Sequence, residues 1–222
     1  MRIFLAIFLF SFSAIPAFAD EFLCGKQIED TEILTKVQVR YRVIESITAS
    51  FKQESYFLGL NQRALSFGEL KFKKPGKMLW KYSNPERQEF NSDGETVWFY
   101  QPELNQVTLG SFTDAFSSEV PVSFLIGIGS LSEKFQLEKA CKTTAGVLLS
   151  LIPKNSEDSF EKFLLLTNEV DASPIGAQVV DVGGNETTIL LKDIKYNVKV
   201  EDSDFRFEIP KGVDVIDKRS GK

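Results

Sequence analysis

The chain has 222 residues, of which 43% are hydrophobic and 26% charged, and its formal net charge at pH 7 is −5. This length and composition are typical of a globular protein with its own hydrophobic core, and they argue against wholesale disorder. Because the chain contains no His, Ser-His-Asp catalysis, Cys-His catalysis and His metal ligands are excluded, and the negative net charge argues against a nucleic-acid-binding protein.

The first 19 residues have the three parts of a secretory signal peptide. Arg2 supplies a positive charge, residues 3–15 form an apolar run too short to span a membrane, and residues 17–19 read Ala-Phe-Ala. We expect cleavage after Ala19, so that residues 20–222 form one exported domain. A buried N-terminal helix is the alternative interpretation of the apolar run. No later run reaches the length of a membrane span, so the exported domain is expected to be soluble.

Cys24 and Cys141 are the two cysteines of the chain. An isolated pair in an exported protein predicts one disulfide, which here would close a long loop. Lipidation of Cys24 is the alternative. However, the preceding residues, Glu-Phe-Leu, lack the small residue that a lipoprotein cleavage site requires.

An amphipathic helix is predicted over residues 31–45. Apolar residues recur there at helical spacing with charges between them, at Ile33, Leu34, Val37, Tyr41 and Ile44. The simplest interpretation is a surface helix that packs on a sheet and has no functional role of its own.

From residue 47 the apolar period changes to two, which predicts strands joined by short turns in an antiparallel meander. Turn residues separate the runs at Pro75-Gly76, Asn84-Pro85 and Ser92-Asp93-Gly94. We expect about ten to twelve strands, at residues 47–53, 65–67, 70–72, 78–82, 95–100, 105–109, 135–140, 146–152, 160–168, 175–182, 187–194 and 204–209. Between them, residues 117–131 are apolar and contain Gly127 and Gly129, which favours one or two short, mobile helices.

An antiparallel sheet of this size tends to curl into a closed or partly closed barrel, whose inner face must be filled. Strand alternation assigns mainly aromatic residues to that face, namely Phe51, Phe72, Met78, Trp80, Tyr82, Phe90 and Phe99. Two interpretations remain open: an ordinary core, or the lining of a site for a hydrophobic ligand. Trp98 and Phe99 must point to opposite faces, and Phe99 is expected inside.

The lysines between positions 71 and 81 are expected on different faces of the sheet, because odd and even positions of a strand point in opposite directions. Lys71, Lys73 and Lys81 are expected to face solvent. Lys74 shares parity with Leu70 and Phe72, so its ammonium group is expected on the concave face, where backbone carbonyls at a helix end are suitable partners.

No catalytic or metal-binding pattern stands out, and no cofactor is expected. The chain lacks a phosphate-binding loop, and its acidic clusters at residues 157–158 and 201–204 lack the spacing of a calcium loop. A carboxylate pair for glycoside hydrolysis stays open, because its members need not be close in sequence.

Two blocks, residues 68–85 and 92–107, resemble the LolA family of periplasmic outer-membrane lipoprotein carriers. The first reads GELKFKKPGKMLWKYSNP and the second SDGETVWFYQPELNQV. Residues 47–53, the apolar segment at 121–129 and the closing segment at 205–213 also fit the family.

The resemblance implies an unclosed antiparallel β-barrel of about eleven strands, with two or three helices as a lid over a hydrophobic cavity. It implies a monomeric, non-enzymatic periplasmic chaperone for the acyl chains of lipoproteins. An inner-membrane ABC transporter would load it and an outer-membrane receptor would unload it. The cavity positions would be Phe51, Leu70, Phe72, Met78, Trp80, Tyr82, Phe90 and Phe99, and the lid positions Phe124, Leu125 and Ile128.

The family also places a basic residue, usually Arg, before the Pro of the first block, where it contacts the lid and holds the empty cavity shut. Here that residue is Lys74, whose compact ammonium group should grip carbonyls less firmly than a guanidinium does. Two other functions compete with lipoprotein transport. One is a carrier or sensor of another lipid, such as a glycolipid or hopanoid-type cargo. The other is a periplasmic hydrolase, which predicts a cluster of polar residues in the cavity.

Overall fold

A computed structural model describes residues 21–29, 32–113, 130–155 and 160–219. Its α-helices are α1 (Ile33–Val43) and α2 (Leu131–Lys134), and its 3₁₀ turns are Leu58–Leu60, Pro102–Leu104 and Asp202–Phe205. Its strands are β1 (Lys26–Ile28), β2 (Ser46–Phe57), β3 (Gln62–Lys73), β4 (Lys77–Asn84), β5 (Gln88–Asp93), β6 (Thr96–Gln101), β7 (Gln106–Ser111), β8 (Phe135–Lys142), β9 (Val147–Pro153), β10 (Phe160–Thr167), β11 (Pro174–Asp181), β12 (Glu186–Tyr196) and β13 (Asp214–Asp217).

All thirteen of these strands belong to one sheet, in the order β1-β8-β9-β10-β11-β12-β2-β3-β4-β5-β6-β7-β13. Neighbouring strands run antiparallel except β7 and β13, which are parallel. Strands β1 and β13 are the two edges and do not pair with each other, so the predicted unclosed antiparallel barrel is confirmed. None of the helices in the described ranges has the length and apolar character needed to cross a bilayer.

The concave face of the sheet holds the main hydrophobic core. Helix α1 contributes Ile33, Val37 and Tyr41 to this core. Because β-strand side chains alternate, a second and smaller cluster forms on the convex face, where Phe22 packs against Leu148, Leu166 and Leu190. The helix therefore covers the concave side, and the N-terminal segment covers part of the other.

The predicted disulfide between Cys24 and Cys141 is confirmed. It joins Cys24, in the segment before β1, to Cys141 in β8, and β1 and β8 also pair with each other. The short edge strand is thus tied covalently to the sheet.

The prediction of a final strand over residues 204–209 is wrong. Asp202–Phe205 is a 3₁₀ turn, residues 206–210 are not in a strand, and the last strand is Asp214–Asp217. The apolar alternation there has another cause: Phe205 is buried, and the Phe207 ring packs on the rings of Trp98 and Tyr100. This segment lies across the sheet and does not pair within it.

Candidate functional site

The concave face carries a continuous row of apolar side chains across five strands. The register pairs Ala49 with Leu70, Leu70 with Trp80, Trp80 with Phe90, and Phe90 with Phe99. Directly paired residues of neighbouring strands point to the same face. The sheet therefore brings together the predicted cavity residues Phe51, Leu70, Phe72, Met78, Trp80, Tyr82, Phe90 and Phe99, which we call the aromatic floor.

Ring contacts connect the members of the aromatic floor. The Phe51 ring centroid lies 4.6 Å from that of Trp80 and 5.1 Å from that of Tyr82. The rings of Phe90 and Phe99 stack with centroids 4.2 Å apart. Such pairs contribute about 0.5–1.5 kcal/mol beyond their buried area, so the floor is a packed surface.

Burial differs between the two ends of the floor. Five residues are at most 4% exposed and share one cluster with the inner face of α1, namely Phe51, Leu70, Phe72, Met78 and Trp80. Tyr82, Phe90 and Phe99 are half-buried. The floor is therefore covered around Phe51, Leu70 and Trp80, and it is partly open at the end formed by Tyr82, Phe90 and Phe99.

Gly68 allows Phe51 to lie against the sheet. A Cβ atom at this position would come within 2.0 Å of the Lys81 carbonyl oxygen and 2.6 Å of the Phe51 ring. Gly68 is not among the site residues predicted from the sequence. Its signal was a glycine inside a strand pattern, which often marks a close approach to the backbone.

Polar atoms are few on the floor. The Tyr82 hydroxyl donates to Oε1 of Gln53 at 2.8 Å. Trp80 Nε1 and the Tyr41 hydroxyl are buried without a hydrogen-bond partner in the described part of the chain. Burial, and then the neighbouring Tyr196, raise the pKa of Tyr41 well above its ordinary value, so its phenol stays neutral.

Lys74 binds the C-terminal end of α1. Its Nζ donates to the carbonyl oxygens of Tyr41 at 2.9 Å and Arg42 at 3.1 Å, which are among the carbonyls that a helix end leaves without intrahelical partners. The side chain of Asn197 also donates to the Val43 carbonyl at 3.0 Å. Contacts between Lys74 and the predicted lid positions Phe124, Leu125 and Ile128 fall outside the described residues.

A second polar group ties α1 to the turn between β10 and β11. Arg40 Nε donates to the Ser173 hydroxyl at 2.7 Å, and its guanidinium lies 3.0 Å from the Asp171 carboxylate and over the Tyr196 ring. Burial opposes ionisation of Asp171, but hydrogen bonds from Ser173 and the charge of Arg40 leave its pKa below the ordinary value. This group could not be predicted from the sequence, because its members are far apart in the chain.

The lysines on the convex face are paired with the turn that replaces the predicted last strand. Lys71 contacts Asp204 at 3.1 Å, and Lys73 and Lys77 each contact Asp202 at 2.7 Å. Hydrogen bonds from Lys73 and Lys77 lower the pKa of Asp202 to about 2. These lysines are therefore part of an ionic surface that holds the C-terminal segment.

Within the described ranges no group of three or more Cys, Asp or Glu side chains is arranged to hold a metal ion. Among the described residues, the concave face offers mainly apolar contact, together with the few neutral polar atoms described above and the Lys74 ammonium group at the end of α1.

Comparison with known proteins matches residues 42–208 to the family described as outer membrane lipoprotein carrier protein LolA. An outer-membrane lipoprotein carrier protein from Pseudomonas syringae is 33% identical over 209 residues, covering 93% of each chain. One from Azotobacter vinelandii is 31% identical over 220 residues, covering 97% of this chain and 99% of the other.

Among solved structures, an uncharacterized conserved protein from Thermus thermophilus superposes with a TM-score of 0.54 at 14% identity. The match covers 84% of this chain and 98% of the other, and at this identity it supports the fold alone. The family match spans most of the chain, and the curated relatives agree with it over nearly their whole length. The chain therefore belongs to the LolA family of outer-membrane lipoprotein carrier proteins.

Proposed function

We propose that the protein holds the acyl chains of lipoproteins on its aromatic floor while it carries them across the periplasm. An inner-membrane ABC transporter would load the cargo, and an outer-membrane receptor would accept it. The family assignment supports the coarser statement, that this is a periplasmic lipoprotein carrier and not an enzyme. The aromatic floor is the observation that supports the more specific proposal, that acyl chains bind on this face of the sheet.

The energetics of the floor suit a carrier. Each methylene that leaves water gains roughly 0.8 kcal/mol, so an acylated lipoprotein cannot cross an aqueous compartment unprotected. Phe, Trp, Leu and Met side chains make no directional demands on an acyl chain, which makes the site tolerant of chain length. Release without ATP requires only that the open and closed states be close in free energy.

The floor would open from its half-buried end. In the structure, Phe51 and Trp80 belong to the same buried cluster as residues of α1, and α1 is fixed to the sheet by Lys74, Asn197 and Arg40. An acyl chain that enters over Phe90 and Phe99 would meet fewer contacts than one that enters beneath α1. We propose that Lys74 holds the empty site shut by fixing the end of α1.

Two further proposals concern the precursor. Residues 1–19 would act as the signal peptide, and cleavage after Ala19 would leave a domain of residues 20–222 that begins at Asp20. Mass spectrometry of the periplasmic protein would give the new N-terminus directly. A start at any other residue would contradict the cleavage site.

The function is tested by a release assay on energised spheroplasts of the host. Processed protein is added, and the supernatant is examined for an outer-membrane lipoprotein in a one-to-one complex with it. Phe90→Asp places a charge on the floor and should abolish the complex. Phe67→Asp is the matched control, because Phe67 lies in β3 on the opposite parity to Leu70 and is 41% exposed.

Release by the wild type and by Phe67→Asp, but not by Phe90→Asp, is the expected result. If no lipoprotein is released but a fluorescent fatty-acid probe still binds, the cargo is another lipid. If neither occurs, the aromatic floor is an ordinary core and the proposal fails.

A further inference from the structure

Two hairpin tips at one end of the sheet expose apolar side chains. Leu58 and Leu60 lie in the β2–β3 turn and are 52% and 68% exposed, and Val182 in the β11–β12 turn is 67% exposed. The tips are neighbours because β12 pairs with β2 up to Glu186 and Tyr56. We call these three residues the apolar tip.

The apolar tip projects beyond the strands on one side. The last pair between β3 and β4 joins Phe67 to Asn84, whereas β3 and β2 stay paired as far as Gln62 and Phe57. At about 3.4 Å per residue, the β2–β3 hairpin extends roughly 17 Å past its pairing with β4. The tip can therefore reach a surface before the neighbouring β4–β5 turn does.

Hydrogen bonds pair several backbone N–H groups in both turns. The Leu58 N–H donates to Asn185 Oδ1 at 3.0 Å, and the Asn61 N–H donates to the Leu58 carbonyl at 3.2 Å. In the other turn, the N–H groups of Gly183 and Asn185 donate to Asp181 Oδ1 at 2.8 and 2.9 Å. Backbone groups that are already paired cost little when they leave water.

Charge is absent from the two turns themselves. Residues 57–62 and 182–185 contain no Asp, Glu, Lys or Arg. The flanking Arg63 is engaged with Glu54 and lies over the Tyr56 ring. Hydrogen bonds from Asn185 lower the pKa of Asp181, whose carboxylate closes the β11–β12 turn.

These features favour a lipid surface over a protein partner. A stable protein interface buries about 800 Å² on each side and has a polar rim, whereas the tip offers three aliphatic side chains on a narrow projection. Insertion into a bilayer interface is favoured by apolar side chains, paired backbone groups and the absence of charge. The tip has three exposed aliphatic side chains, several paired N–H groups and no charged residue in its two turns.

We propose that the apolar tip inserts into the headgroup and upper acyl region of a bilayer when cargo is exchanged. This inference rests on the proposed function and deepens it. Phe57, at the base of the tip, shares the side-chain parity of Phe51 in β2. Acyl chains leaving the bilayer beside the tip would therefore arrive at the sheet face that carries the aromatic floor.

The test is flotation of the processed protein with vesicles of phosphatidylethanolamine and phosphatidylglycerol at three to one. The double variant Leu58→Ser/Leu60→Ser should bind the vesicles at least tenfold more weakly than the wild type. Val170→Ser is the control, since Val170 is 93% exposed but lies in the β10–β11 turn at the opposite end of the sheet. This control should bind as the wild type does.

Depth is measured with Leu60→Trp and Val170→Trp against vesicles that contain brominated lipid. Quenching of the added Trp at position 60 and not at position 170 supports the proposal. Absence of wild-type flotation, or equal loss in the Ser double variant and its control, overturns it. Loss of lipoprotein transfer by the double variant without any wild-type flotation would assign the tip to a protein partner and also overturns it.

Binding of a fatty-acid probe without vesicles separates this proposal from the proposed function. The double variant should bind the probe as the wild type does, because the tip lies outside the aromatic floor. A wild type that floats with vesicles but binds no probe keeps the tip and refutes the carrier site. A wild type that binds the probe but does not float with vesicles supports the carrier site and refutes insertion of the tip.

Discussion

Replacing Lys74 with Leu removes the ammonium group that binds the end of α1. The lysine donates to the carbonyls of Tyr41 and Arg42, and Leu has no donor to replace it. Hydrogen bonds from a charged group contribute about 1.5–3 kcal/mol each when well protected. The Lys74 side chain is 28% exposed, so water can partly replace it, and the two bonds together should contribute about 1–3 kcal/mol.

This free energy should appear as easier local opening of α1. We expect amide hydrogen exchange at residues 40–44 to accelerate by about five- to a hundredfold in Lys74→Leu, since about 1.4 kcal/mol corresponds to a factor of ten. Lys74→Arg should restore protection, because a guanidinium offers five donors in a planar fork. Lys81→Leu is the control, as Lys81 is exposed on the convex face.

The same shift should change cargo handling. If closure of the site competes with acyl binding, weaker closure raises apparent affinity and slows release, so Lys74→Leu should load lipoprotein but transfer it poorly. Unchanged exchange in α1, or equal acceleration in Lys81→Leu, would refute the reasoning about the helix end. Faster exchange with normal transfer would leave the contact in place but remove its role as a latch.

Three further outcomes follow from the structure. Replacing Cys24 and Cys141 with Ser removes the disulfide that closes a loop with a sequence separation of 117. The entropy of the opened loop should lower the free energy of unfolding by up to about 5 kcal/mol. Urea unfolding of the variant and the wild type measures this loss, and equal midpoints would contradict it. The lowered pKa of Asp202 stabilises the fold above the unfolded pKa of about 3.9, and this contribution is lost as the pH falls towards 2. In Asp202→Asn the urea midpoint should therefore depend less on pH over that range than it does in the wild type. An unchanged pH dependence would count against the lysine contacts. Phe90→Ser should weaken fatty-acid binding more than tenfold while changing stability little, because Phe90 is half-buried. Titration with the fluorescent probe measures binding, and thermal unfolding measures stability. Intact binding would remove Phe90 and its partner Phe99 from the site.

Sequence alternation predicted the composition of the aromatic floor because it depends only on local backbone geometry. Side chains two apart in a strand share a face, so the parity of Leu70, Phe72 and Lys74 could be read without knowing their neighbours. The disulfide was predictable for a different reason: export and an isolated cysteine pair left one simple pairing. Helix α1 was also visible from its spacing, with ends two residues inside the predicted ones.

Contacts between distant segments could not be predicted from the sequence. The alternating residues near position 205 have the pattern of a strand, yet Phe207 packs on Trp98 and Asp202 pairs with Lys73, because the curled sheet brings its convex face under the C-terminal segment. The same holds for Arg40 and Asp171, which are separated by more than a hundred residues.

The sequence by itself therefore determined the strand faces, the concave aromatic set and the disulfide, since each follows from local geometry or from the compartment. Only the tertiary structure decided how deeply each of those side chains is buried and which distant segments lie beside it. Trp80 is buried in one cluster with residues of α1, whereas Phe90 is half-buried, and strand pairing places the Leu58 turn beside the Asn185 turn. The physical reason is that burial depends on which segments the folded sheet brings together, and no local period encodes that.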